Sequence, residues 1–189
     1  MILPIVAFGS PVLREKCLDV SPNDVDLDVL ISDMWETMYQ ANGVGLAAPQ
    51  INRPIRLFLI DTTPFFEDQE TNTENTEQIV KKVFINAKVL EEEGDSWEFN
   101  EGCLSIPEIR ENVSRKSCIT IEYMDENFTK FRETYSGLTA RVIQHEYDHI
   151  QGILFVDRIS MLRKKMIKGK LRDISNGKVG VDYKMRFYK

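Results

Sequence analysis

The chain has two histidines, His145 and His149, and they bracket the run His145-Glu146-Tyr147-Asp148-His149. On an α-helix, positions four apart lie about 40° from each other around the axis, with Cβ atoms roughly 5–6 Å apart. Two imidazole nitrogens at that spacing can converge on one cation, and Glu146 stands beside them within reach of a metal-bound water. The chemistry implied is metal-assisted hydrolysis. The same pattern also arises by chance on a solvated helix face, so its surroundings matter.

Those surroundings read as one helix from Ser136 to Gly152, with Ser136 suited to the N-cap and Gly152 to the C′ position. Leu138, Val142, His145, His149 and Gly152 fall along one stripe with Ile150 beside it, which predicts imidazoles on the inward face. A hydrolytic metal needs a third protein ligand and an open position. No histidine remains, so the choice is a carboxylate or one of Cys17, Cys103 and Cys118. Cys118 opens an alternating strand, Cys118 to Tyr123, and is expected as a small buried hydrophobe. Cys17 lies in an early loop with no polar constellation around it. Cys103 follows Gly102, which permits a sharp turn or a close approach, and precedes Leu104, Ser105, Ile106 and Pro107. It is the best placed of the three thiols, while a carboxylate stays open on these grounds.

A third segment, Gly43-Val44-Gly45-Leu46-Ala47-Ala48-Pro49-Gln50, follows an amphipathic helix from Asp26 to Asn42. Leu27, Leu30, Ile31, Met34, Trp35 and Met38 keep the three/four spacing of that helix, and Gly43 stops it. The plain reading of Gly43 and Gly45 is a tight turn. The functional reading is a loop whose backbone nears a ligand, with Gln50 presenting an amide. The segment is not a phosphate loop, since it lacks the G-x-G-x-x-G spacing and a preceding strand.

Together, Gly43–Gln50, Glu101–Ser105 and His145–His149 resemble, complete and in order, the three motifs of the peptide deformylase family, G-x-G-x-A-A-x-Q, E-G-C-x-S and H-E-x-x-H. The likeness continues through Ile150–Arg158 and covers Ile5 to about Ile159. The resemblance implies a metal-dependent hydrolase that removes the formyl group from N-terminal formylmethionine of new polypeptides, releasing formate. It implies Cys103, His145 and His149 as metal ligands, with Fe²⁺ the expected ion and Zn²⁺, Ni²⁺ or Co²⁺ as substitutes. A Cys/His₂ set suits zinc and iron alike on chemical grounds. Glu146 then resembles the general acid/base, and the Gln50 side-chain amide and Leu104 backbone N–H the donors to the developing oxyanion. Val44, Leu138, Val142 and Phe99 are expected to form the methionine pocket, with the backbone of Gly43, Gly45 and Gly102 near the substrate. Extended peptide is expected to pair with the strand edge near Gly102. Arg141 is expected on the rim of that pocket, paired with an acidic neighbour or the substrate, with no role in the chemistry. Glu101 is read as orienting its loop through Arg110 or Arg115 rather than as a second catalytic carboxylate. Tyr147 and Asp148 are expected to pack and to hydrogen-bond around the ligands.

At 189 residues and 42% hydrophobic, the chain is sized for one domain, residues 1–189. Three cysteines argue against a disulfide framework and for a reducing compartment. No signal-peptide pattern, transit segment or membrane-length apolar run is seen, and a bacterial cytoplasmic enzyme is expected. The net charge of −6 gives no indication of nucleic-acid binding. Strands are predicted at Ile55–Ile60, Val83–Ile85, Trp97–Phe99, Ile119–Tyr123 and Lys130–Tyr135, with a turn at Asp125-Glu126-Asn127. Residues 62–78 are polar and aperiodic and are expected as a surface insertion. The expected fold is α+β: antiparallel sheets packed around a central metal-bearing helix, with an N-terminal helix and a C-terminal helix.

That last helix, Ser160 to about Ile174, carries Leu162, Met166, Ile167, Leu171 and Ile174 among six cations, Arg163, Lys164, Lys165, Lys168, Lys170 and Arg172. A solvated basic face accounts for it, and a ribosome contact near the nascent-chain exit is the sharper reading. Val179 to Tyr188 reads as an added strand with no assigned place. Two rival functions share the histidine motif. A metallopeptidase usually takes its third ligand downstream, as Glu or His, and a non-catalytic metal-binding module would carry a broken site. No catalytic position is broken here.

Overall fold

The computed structural model describes residues 1–22, 26–66 and 79–188. Its main sheet has five antiparallel strands in chain order: β2 (Gly45–Ala47), β3 (Leu57–Asp61), β4 (Lys81–Cys103), β5 (Ile106–Met124) and β6 (Lys130–Ser136). Three helices accompany it, α1 (Leu27–Gln40), α2 (Gly137–Ile150) and α3 (Met161–Ser175). A second, two-stranded sheet is parallel and joins the two ends of the chain, β1 (Ile5–Val6) beside β7 (Met185–Arg186). Mixed helices and antiparallel sheet accord with the expected α+β class.

The sheet lies between two helices, and its middle strands show why. Leu57 and Leu59 pack with Leu30, Ile31, Met34 and Met38 of α1. Phe58 and Ile60 pack with Ala140, Ile143 and Ile150 of α2. Strand β3 is therefore buried on both faces, which is why its sequence is a continuous apolar run rather than an alternation. On the α2 side Phe58 stacks on Phe84 at 4.8 Å between ring centroids, 8° from parallel.

The runs expected as separate strands at 83–85 and 97–99 belong to one strand of 23 residues. Register shifts at Ile85/Lys88, Val89/Glu91 and Glu93/Ser96 bend it, and the acidic stretch Glu91–Asp95 hid its continuity from the sequence pattern. Beyond Asn86 strand β4 pairs with β5 alone, so its other edge meets no strand among the described residues. The hairpin tip, Cys103 to Ile106, lies far from the sheet centre in register. There Ile106, Ile109 and Val113 build a third apolar cluster with Val6, Leu13, Phe155, Ile167 and Ile174.

Helix α2 begins after Ser136, which takes the N-cap position without a side-chain capping bond. Its end is firmly made. The Ile153 N–H donates to the Asp148 carbonyl (2.9 Å) and the Gly152 N–H to the His149 carbonyl (3.1 Å), the paired bonds of a Schellman stop. Gly152 has φ +74°, and a Cβ there would stand 2.6 Å from the Arg14 carbonyl oxygen. The helix has no wet face of the kind the stripe suggested: Arg141, Gln144, Glu146 and Asp148 are buried along with the apolar residues.

Other expectations need correction. Thr62 is fully buried and exchanges hydrogen bonds with Val80, so the segment 62–78 does not begin at the surface; its part from residue 67 lies outside the described residues. Cys118 is half-buried, not buried. Only Met185–Arg186 of the expected 179–188 strand pairs as a strand. Helix α3 follows the sequence reading closely, with the Ser160 side chain accepting from the Arg163 N–H.

Candidate active site

The hairpin tip delivers Cys103, and α2 delivers His145 and His149. One ligand atom from each of the three residues lies within 4.8 Å of the others. The Cys103 Sγ is 3.2 Å from His149 Nε2, and the two imidazole rings stand 5.1 Å apart at 72°. The Nδ1 atom of His145 is 2.9 Å from Glu101 Oε2, which leaves its Nε2 for the same centre. One soft thiolate and two imidazoles, from two elements and largely shielded from water, suit a single Zn²⁺- or Fe²⁺-like ion.

The ligands are braced by a buried ion network. Arg115 donates to both Glu101 oxygens (2.7 and 3.0 Å) and to Asp148 Oδ2 (2.7 Å), with all three side chains no more than 5% exposed. Arg141 adds a bond to Glu101 (2.9 Å) and bonds to the Val113 and Trp97 carbonyls, its guanidinium 4.5 Å from the Trp97 ring centroid. Burial alone would push the Glu101 carboxyl up; His145 and Arg115 outweigh it and hold the group well below the usual carboxylate range. Glu101 is thus a fixed anion that orients His145. Its partner is Arg115, not Arg110, which bonds Asn100 instead. Arg141 pairs with an acidic neighbour, Glu101, as expected, but it is buried in the cavity wall rather than exposed on the rim.

Glu146 is buried, and its Oε2 has no hydrogen-bond partner among the described residues. Burial is the largest cause pushing its carboxyl up, to about 7, a value suited to taking and returning protons near neutrality. It packs onto Gly45 so closely that a Cβ there would lie 2.4 Å from Glu146 Oε1. A Cβ on Gly43 would likewise meet the Leu104 side chain at 2.9 Å. Both glycines are therefore bare so that the first loop can seat against the other two segments. His149 is held well below the ordinary imidazole value by burial and by His145, which keeps it neutral, as a ligand must be.

Gln50 sits on a short 3-10 turn, Ala48–Ile51, where its Oε1 accepts from the Ala47 N–H (2.8 Å). That bond aims its NH₂ toward Cys103 Sγ (3.5 Å) and Ser105 Oγ (3.4 Å). A cavity of about 570 Å³ opens over the centre, a size that accommodates a peptide end. Gly43, Val44, Gly45, Gln50, Phe99, Gly102, Cys103, Leu104, Val142, His145 and Glu146 all line it. Leu138 does not; it is half-buried one turn before Val142. A larger cavity, about 670 Å³, lies behind α2 beside Tyr147, Arg56 and Cys17 and has none of these ligands in its walls.

Sequence reasoning offered Arg115 as one of two partners for Glu101 but missed its second bond, to Asp148, and it passed over Tyr183, which also lines the cavity. Arg115 left a signal: it keeps phase with buried Ile109 and Val113 on β5, so its side chain had to point inward. Tyr183 left none, since the strand expected over 179–188 had no assigned place in the fold.

A family model described as polypeptide deformylase matches residues 2–165. The peptide deformylase of Christiangramia forsetii is 57% identical over 189 residues, covering 99% of this chain and 96% of that protein. That of Flavobacterium psychrophilum is 54% identical, covering 98% and 97%. Among solved structures, a peptide deformylase from Legionella pneumophila superposes with a TM-score of 0.79 at 36% identity, covering 94% of this chain and 98% of that one. Arabidopsis thaliana peptide deformylase 1B in complex with an inhibitor gives 0.80 at 31%, covering 93% and 92%. With the site geometry and these likenesses in agreement, the chain belongs to the polypeptide deformylase family.

Proposed function

We infer that this protein is a metal-dependent hydrolase that removes the formyl group from N-terminal formylmethionine of newly made polypeptides, releasing formate and a free amine. Membership of the family supports the activity. The observation that carries the mechanism is the cluster of Cys103, His145 and His149 with the buried, unpartnered Glu146 carboxylate beside it. In our reading residues 1–189 form one catalytic domain that works in the bacterial cytoplasm, where its three free thiols would stay reduced.

Cys103, His145 and His149 would hold one divalent ion, Fe²⁺ in our reading, with Zn²⁺, Ni²⁺ or Co²⁺ able to replace it. Such an ion would polarise the formyl carbonyl and make a water acidic enough to attack near neutral pH. Glu146 takes the proton of the attacking water and passes one to the departing amine. The Gln50 NH₂ and the Leu104 N–H donate to the oxygen on which charge develops, and losing one such donor typically costs about 10²–10³ in rate. Val44, Phe99 and Val142 offer apolar surface for the methionine side chain. The open edge of β4 near Gly102 can pair with the peptide backbone behind it.

The test compares formate release from a formyl-Met tripeptide and from its unformylated twin, for the wild type and Glu146→Gln. We expect the variant to keep its metal and lose turnover by about 10³ or more. Full activity in the variant, or internal cleavage of either peptide, would contradict this mechanism.

For the ribosome as a partner, the supporting feature is α3. Met161, Leu162 and Met166 are 70, 68 and 63% exposed, next to exposed Lys165, Lys168 and Arg172. Sedimentation with ribosomes at low salt should weaken when Lys165 and Lys168 are both changed to Glu. Unchanged sedimentation removes the contact.

A further inference from the structure

The C-terminal tail reaches the active site. Beyond α3 the chain returns so that β7 pairs with β1: the Ile5 N–H donates to the Lys184 carbonyl (2.9 Å) and the Ala7 N–H to the Arg186 carbonyl (2.8 Å). Met185 and Phe187 are packed into the third apolar cluster. The tail is thus fixed immediately after Tyr183. The Tyr183 ring packs in the α1 cluster beside Leu104, and its hydroxyl donates to the Leu104 carbonyl at 2.7 Å. The next carbonyl, that of Ser105, accepts from the Phe8 N–H at 2.8 Å, just past β1. The carbonyls of Leu104 and Ser105 are therefore both held from outside the hairpin, one by the segment after α3 and one by the segment after β1.

We propose that Tyr183 is a positioning residue: by holding the Leu104 carbonyl, it fixes the orientation of the Leu104 backbone N–H toward the oxyanion. This rests on the reading of Leu104 as an oxyanion donor. The physical reason is local. The carbonyl and N–H of Leu104 lie on neighbouring peptide planes joined by the φ and ψ rotations at its Cα, so the N–H keeps its aim only when both planes are anchored, one on each side. The Cys103 side of the tip is tied by its thiol among the histidines; the Leu104 side is tied by the phenol. A donor that acts only as charge develops affects turnover, not ground-state binding.

The experiment uses the full-length, metal-loaded protein and Tyr183→Phe, which removes one oxygen and keeps the ring. Steady-state kinetics on a formyl-Met tripeptide are combined with amide hydrogen exchange of the unliganded protein, read at residues 103–106. The expected result is a kcat about 10-fold lower, a KM within twofold, and faster exchange confined to the tip. An unchanged kcat overturns the proposal. So does a higher KM at constant kcat, which would make Tyr183 a wall of the pocket and nothing more. A lower kcat with unaltered tip exchange, or exchange that quickens throughout the protein, overturns it too. If the wild type releases no formate, the proposed function fails by itself, and tip exchange alone decides whether Tyr183 holds Leu104.

Discussion

Glu146 and Gly45 depend on each other. The carboxylate that would move protons lies against a backbone with no side chain, and the smallest possible addition would occupy its space. Gly45→Ala should therefore cost at least about 10² in kcat while leaving the three ligands in place. Metal content measured beside kcat checks this: lost metal would mean that the loop, and not the carboxylate, had given way. The types and spacing of His145, Glu146 and His149 were readable because helical geometry fixes what four residues apart means. Cys103 stood out among the thiols through its Gly102 and Pro107 neighbours, but only the resemblance to a known motif made it a ligand, since nothing local says that a hairpin tip meets a helix. Leu138 was misplaced because neighbouring turns of one helix face different neighbours, which a stripe of apolar residues does not resolve.

Helix α2 illustrates the limit of periodicity. Two of its polar residues are buried against strand partners, Asp148 accepting from Arg115 of β5 and Arg141 donating to Glu101 of β4, and no window of sequence contains those pairings. Replacing Arg115 by Met would leave Glu101 and Asp148 with fewer partners in a dry setting. We expect a loss of about 3 kcal/mol, read by denaturant unfolding, because removing one member of a buried ion cluster strands the others. A variant as stable as the wild type would show that Arg141, bonded to Glu101, and Arg158, which donates to both Asp148 oxygens (2.6 and 2.5 Å), compensate fully. Helix α3 is the opposite case, its boundaries legible from cap to stop and its surface open. Nothing lies within 4 Å of the place a Cβ would take on Gly169, in the middle of that helix. Gly169→Ala should raise stability by up to about 1 kcal/mol, seen as a higher Tm. The long hairpin of β4 and β5 was legible only in pieces, because its bulges break the two-residue alternation that marks a strand.

For the folded chain against acid, one group away from the active site is Glu133, which accepts from Lys82 Nζ (2.7 and 2.9 Å) and from the hydroxyls of Tyr123 and Tyr135. Burial pushes its carboxyl up, and these donors outweigh burial and hold it below the ordinary 4.5. The folded value lies under the unfolded one, so its contribution is complete above about pH 5 and fades as pH falls through the folded value. The side chains of Glu133 and Lys82 are a third or more exposed, so the effect is about 1 kcal/mol or less. Glu133→Gln should flatten the acid limb of stability below about pH 5, measured by urea midpoints. An identical limb would assign acid sensitivity to other carboxylates.

The pairing of β1 with β7 has a temporal consequence. Two strands of two residues each, at Ile5–Val6 and Met185–Arg186, cannot meet until Arg186 has been synthesised, long after the hairpin and α2. A partly translated copy can already own its hairpin and its histidine helix, yet the clasp on Leu104 arrives last. Ripening of the enzyme should therefore trail the folding of its core, and a probe of that clasp would report the final event of its assembly.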